Sequence, residues 1–141
     1  MIQIRYIVND VETAIAFYTQ LLGFALGMHP APAFAMLSRG DLRLVLSAPN
    51  PAGGGGQPMP DGTDQEPGGW NRFAIEVSDL VERVETLRKA GVHFRNEIAI
   101  GVGGKQIILD DPSGNPIELF EPTIPEARLP LDPQPPVKQT K

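Results

Sequence analysis

Glu118 lies in a short alternating stretch, Ile117 to Phe120, directly behind the sequence Asp110-Asp111-Pro112-Ser113-Gly114-Asn115-Pro116. Pro112 presets a turn value of φ, Gly114 accepts positive φ, and the apolar run Lys105 to Leu109 enters from the other side. The pattern predicts a β-hairpin, with Ile117 and Leu119 on one face and Glu118 and Phe120 on the other. A carboxylate aimed from mid-strand either sits on a solvated sheet face or acts as a general base or metal ligand.

Other chemistries are poorly supplied. The chain has no cysteine, which excludes disulfides, thiolate ligands and a cysteine nucleophile. Gly53 to Gly56 precede neither Lys-Ser/Thr nor a helix pattern, so they are no phosphate-binding loop. Ser38 and Ser47 have no evident histidine partner for a nucleophilic triad. His29, beside Pro30, and His93, just after Gly91, read as surface or structural residues. A formal net charge of -5 without a lysine-rich run argues against nucleic acid or an anionic membrane as partner. With no long apolar span and no leader-like start, a cytoplasmic protein is expected.

The elements that position Glu118 follow from periodicity. Ile2, Ile4, Tyr6 and Val8 alternate as a first strand. Asn9, with Glu12 three residues on, predicts a helix start, and Val11, Ala14, Ile15, Tyr18, Leu21 and Leu22 recur at helical spacing until Gly23. Strands are expected at Phe24 to His29, Phe34 to Ser38 and Leu42 to Ser47, broken by Pro30-Ala31-Pro32 and Arg39-Gly40-Asp41. Residues 50–70 are rich in Pro, Gly and polar side chains and read as a mobile linker, either a flap over a site or a tolerated surface insertion. The pattern then returns: a strand through Phe73, Ile75 and Val77, a helix from Ser78-Asp79 to Gly91, and strands at Val92 to Ile98, Lys105 to Leu109 and Pro116 to Glu121. Two βαβββ copies result, residues 1–49 and 71–122. The Pro-rich tail, residues 123–141, is expected to be extended, and either disordered or laid along a neighbouring surface.

The fold class is therefore α+β: two βαβββ modules forming a curved mixed sheet around a concave trough, with helices on the outer face. Residues Val8-Asn9-Asp10, Ala16-Phe17-Tyr18 and Leu22-Gly23-Phe24, together with Asp110 to Leu119, carry a resemblance to the vicinal oxygen chelate superfamily. That superfamily includes glyoxalase I, bleomycin-resistance and fosfomycin-resistance proteins and extradiol dioxygenases, so the resemblance constrains fold far more than reaction. It implies a homodimer, since members often pair such modules.

In metal-using members, the resemblance implies, ligands come from the first and last strands of each module. The corresponding positions are Gln3, Val45, Arg72 and Glu118. Valine has no donor atom and arginine does not deprotonate to ligate, so only Gln3 and Glu118 are suited to a divalent ion. No cofactor is expected. Arg72 is instead expected to pair with Glu118 across the trough. Strand parity points Arg5, Arg43, Ser47, Glu76 and Phe120 to the same concave side, and the three arginines favour a ligand with carboxylate, phosphate or polarised carbonyl groups. Trp70, after Gly68-Gly69, either stacks on a flat ligand or pins the linker.

The leading expectation is a metal-independent small-molecule binding protein of the glyoxalase/bleomycin-resistance type, holding an organic ligand in the trough. The alternative is a lyase/isomerase or dioxygenase with Glu118 as base or metal ligand. A third reading, an interaction domain, applies if the concave residues are mutually salt-bridged and closed to ligands.

Overall fold

The computed structural model describes residues 2–128. Each half has the predicted order: β1 (Gln3–Ile7), α1 (Val11–Leu21), β2 (Ala25–Ala31), β3 (Phe34–Arg39) and β4 (Leu42–Ser47), then β5 (Phe73–Glu76), α2 (Leu80–Lys89), β6 (Ala99–Ile100), β7 (Gly104–Asp110) and β8 (Pro116–Pro122). The strands make two four-stranded mixed sheets, ordered β1-β4-β3-β2 and β5-β8-β7-β6. In each sheet the first and last strands run parallel, with Arg5 opposite Val45 and Ala74 opposite Glu118.

Helix starts differ between the halves. Asp10, not Asn9, is the α1 cap, its Oδ1 accepting from the backbone N–H of Glu12 at 3.0 Å and Thr13 at 3.3 Å. Both residue types cap well, so composition alone does not choose between neighbours. Asp79 makes no such bond, and Glu121 on β8 instead accepts from Leu80 N at 3.0 Å. Gly23 and Gly91 end the helices with φ of 74° and 89°, the left-handed conformation that a residue without Cβ adopts cheaply.

Three expectations are corrected. Val92 to Ile98 is not a strand: Phe94 makes an isolated bridge to Leu109, and regular pairing is confined to Ala99–Ile100. The predicted break at Pro30 comes later, because β2 runs through Pro30 to Ala31 with two register shifts along its edge; an edge strand tolerates proline's missing donor. In the tail, Pro125–Ala127 form a 3-10 turn rather than extended chain, and residues 129–141 lie outside the described residues.

Alternation fixes the faces of both sheets. Tyr6, Leu37, Leu44 and Leu46 of the first sheet and Phe73, Ile75, Ile107, Leu109, Ile117 and Leu119 of the second are buried in one shared core with Val11, Tyr18, Leu80 and Leu87 of the helices. The halves therefore pack together within a single chain. Tyr6 stacks against Phe73 at 5.3 Å between ring centroids, and Phe24 meets Phe73 edge-on at 6.0 Å.

The Asp111–Asn115 turn ties this packing together. Buried Asp111 accepts at Oδ1 from Ser113 N (2.8 Å) and Asn115 N (2.9 Å), and at Oδ2 from the Tyr18 hydroxyl (2.7 Å) and Asn115 Nδ2 (3.0 Å). Asn115 Nδ2 also donates to Ile7 O at 2.7 Å, Ser113 Oγ accepts from Asn9 N at 2.8 Å, and the Tyr6 hydroxyl donates to Pro116 O at 2.6 Å. A turn of the second half thus bonds to the strand, helix and helix entry of the first.

Replacing Asp111 by Ala orphans buried donors from both halves, and a loss of about 3 kcal/mol or more is expected in urea unfolding. Tyr18→Phe removes one of those bonds and should cost about 1–2 kcal/mol. Equal costs for the two variants would show that the turn is not the joint. The phenols give a second test. Burial holds Tyr6 up from 10.0 to about 12, partly offset by its bond from Phe73 N, while burial and then the Asp111 charge raise Tyr18 further. Because the fold favours the neutral phenol, this stability is present below pH 10 and is lost as pH climbs through about 12. The chain's two tyrosines should therefore show little native phenolate absorbance near 295 nm at about pH 10.5, where the urea-unfolded chain is more than half ionised.

Candidate functional site

β1 and β5, the facing edge strands of the two sheets, flank a cleft of about 390 Å³. Ile4 to Ile7 form one wall and Asn71 to Phe73 the other, with Glu66 and Gly68 from the linker and Asn115 from the turn. Gly68 N donates to Asn115 Oδ1 at 2.8 Å, so the side chain that joins the halves also holds the linker at the cleft.

Arg72 and Glu118 form the expected ion pair, but between the neighbouring strands of the second sheet rather than across the trough. Arg72 Nε and Nη2 both approach Glu118 Oε1, at 3.0 and 2.9 Å, with side-chain exposures of 25% and 15%. Arg72 Nη1 donates to Trp70 O at 3.1 Å. With its amide nitrogen turned to Glu118, Gln106 donates to Oε2 at 2.7 Å. The carboxylate is thus bonded by a cation on one oxygen and an amide on the other.

Arg5 stands differently. It lines the cleft, is exposed, and has no carboxylate partner among the described residues. The Gly-rich stretch lies against it: a methyl group on Gly55 would collide with the Arg5 guanidinium, and Gln65 Nε2 fastens this loop by donating to Gly55 O (3.1 Å) and Gln57 O (2.9 Å). Ser47 is fully buried and donates to Gly54 O at 2.6 Å, so it secures the same loop. The linker has no helix or strand, yet residues 54–57 rest on the inner side of the first sheet.

The remaining predicted residues are dispersed. Gln3 and Arg43 sit opposite each other on β1 and β4, Gln3 exposed and Arg43 half-buried. Glu76 and Phe120 are opposite each other on β5 and β8, on the side that carries Glu118. Of the sequence-predicted set, Arg5 and Arg72 line the cleft, Glu118 reaches it through Arg72, and Trp70 stands beside it. Trp70 stacks on Arg95, whose guanidinium carbon is 4.7 Å from the ring centroid.

Residues missed from sequence include Glu66, Asn71, Gln106 and Arg95. Gln106 was within reach: counting back across the hairpin puts it opposite Phe120, on the Glu118 face. Arg95 was not, because its segment read as strand. It bonds Asp110 Oδ1 at 2.7 Å, Gly69 O at 2.7 Å and Gly114 O at 3.0 Å, clamping the linker's end to the turn.

A metal does not suit this donor set. Val45 is buried without a donor atom, Arg72 is committed to the lone pairs of Glu118, and no group of three or more His, Cys, Asp or Glu side chains with ligating geometry occurs among the described residues.

Comparison with known proteins identifies the family. The model of the Glyoxalase/Bleomycin resistance protein/Dioxygenase superfamily matches residues 1–119. The chain belongs to this superfamily. A search of curated proteins gives no significant match. Among solved structures, a superfamily member from Sphaerobacter thermophilus DSM 20745 is 26% identical, with a TM-score of 0.67, covering 84% of this chain and 94% of that one. TnmS3, an antibiotic binding protein from Streptomyces sp. CB03234, is 24% identical at a TM-score of 0.65, covering 86% and 93%. Lactoylglutathione lyase from Agrobacterium tumefaciens is 18% identical at 0.66, covering 86% and 92%. The last two likenesses are of fold.

Arg72→Met leaves a largely buried carboxylate with only its amide partner, and a loss of about 1–3 kcal/mol is expected. In a double-mutant cycle with Glu118→Gln the coupling should be about 1 kcal/mol or more in urea unfolding. Coupling indistinguishable from zero would mean that solvent screens the pair.

Proposed function

We propose that this superfamily member binds a small organic ligand carrying an anionic group, without a metal, in the cleft between β1 and β5, and that its role is sequestration or carriage. The observation that carries this reading is the contrast between two arginines. Arg72, which the family resemblance aligns with a metal-ligand strand, is paired with Glu118, whereas Arg5 lines the same cleft with no carboxylate partner among the described residues. A guanidinium on a partly apolar wall of Ile4, Ile7 and Phe73 suits the carboxylate of an organic acid, its fork matching two oxygens. That TnmS3 binds an antibiotic on this fold supports a binding role, and that a lactoylglutathione lyase shares the fold keeps catalysis as the competing reading.

The test is elemental analysis of protein purified without chelator or metal-binding tag, followed by calorimetric screening of aromatic and aliphatic acids. Arg5→Gln should weaken an identified acid by roughly tenfold or more with an unchanged melting temperature. Glu118→Gln should change its affinity by less than about threefold. Stoichiometric bound metal, or an acid that binds equally without Arg5, would overturn the reading. Turnover lost specifically in Glu118→Gln would establish the enzyme instead.

A further inference from the structure

The Arg5 cleft holds a second charge that the acid-binding reading leaves unused. Glu66 lines the same cleft, and its carboxylate has neither a hydrogen bond nor an ion pair among the described residues. Its place in the chain is fixed from both sides. Gln65, directly before it, donates to Gly55 O at 3.1 Å and Gln57 O at 2.9 Å, while Gly68, two residues after it, donates to Asn115 Oδ1 at 2.8 Å. Pro67 between them restricts the backbone further.

Arg5 converges on the same part of the chain. Its guanidinium lies against Gly55, the residue whose carbonyl Gln65 holds. A cation and an anion thus reach one cleft of about 390 Å³ from adjoining segments, yet no ion pair joins them. The other charged lining residue, Arg72, is spent on Glu118. Two opposite charges left apart in a single cleft match a ligand that carries both signs close together. A plain carboxylate gains Arg5 but meets Glu66 as a like charge, and a plain amine gains Glu66 but meets Arg5. An α-amino acid bears its carboxylate and ammonium on one carbon and has its side chain free for the wall of Ile4, Ile7 and Phe73.

We infer that the cleft selects a free α-amino acid with an apolar side chain, Arg5 donating to the carboxylate through its fork and Glu66 accepting from the ammonium. The inference rests on the acid-binding reading and adds Glu66 to it as the residue that decides which acids bind.

Calorimetric titration of the full chain with the common apolar amino acids, then with the deaminated acid and the decarboxylated amine of the best binder, tests this. The amino acid should bind at least roughly fivefold tighter than its deaminated acid, and the amine should not bind measurably. In Glu66→Gln the amino acid and the deaminated acid should bind within about twofold of each other, with the melting temperature unchanged because the side chain makes no bond. In Arg5→Gln both should weaken by roughly tenfold or more. Equal affinity for the amino acid and its deaminated acid in the unsubstituted chain, a preference that survives in Glu66→Gln, or no binding by any apolar amino acid would overturn it. A deaminated acid that binds through Arg5 whatever stands at position 66 leaves the acid-binding reading in force, so the two failures are told apart.

Discussion

A single buried carboxylate sets the relation between the two halves. Asp111 is excluded from water and would be costly there unless its lone pairs were filled. Two of its donors come from its own turn, which shapes the hairpin; a third is the Tyr18 hydroxyl, on the helix of the other half. Asn115, oriented by the same carboxylate, then reaches Ile7 O and Gly68 N. One carboxylate and the asparagine it orients thereby tie β1, α1 and the linker together at the cleft.

The Gly-rich linker depends on that frame. Its glycines take φ values of 133°, 81° and 87° at positions 53, 54 and 55, which lets the chain fold flat over the first sheet. Ser47 and Gln65 hold it from either side, and Gly55 sits where a side chain would displace Arg5. Composition alone suggests a segment that buries too little to order; side-chain bonds from outside the glycines supply the order instead.

How much of this was legible in the sequence depends on the range of the interaction. Alternation in Ile117 to Phe120 and helical spacing in Val11 to Leu22 are local, so β8, α1 and the side to which Glu118 points could be read directly, as could the pairing of Arg72 with Glu118 once the two modules were aligned. Asn9 and Asp10 are equally good caps, and the choice rests on backbone geometry. Val92 to Ile98 carries strand-like residues, yet pairing stops after the Phe94–Leu109 bridge because the next ladder donor, Ile108 N, is taken by the side chain of Asn96. The linker's place at the cleft was not legible, because Gly68 is brought to Asn115 over 47 residues of separation by a bond that no local pattern encodes.

The pairing of Arg72 with Glu118 sets what the inner surface of the second sheet can do. A metal would draw charge density from a substrate oxygen and need several hard donors around it. A guanidinium brings its charge covalently attached and pairs with Glu118 without further hard donors. The cost is that both groups are used on each other, with Gln106 filling the remaining oxygen. Arg5, by contrast, lines the cleft with no carboxylate partner among the described residues, and its guanidinium lies against Gly55 of the glycine loop, so that a loop and not an acid sets its place.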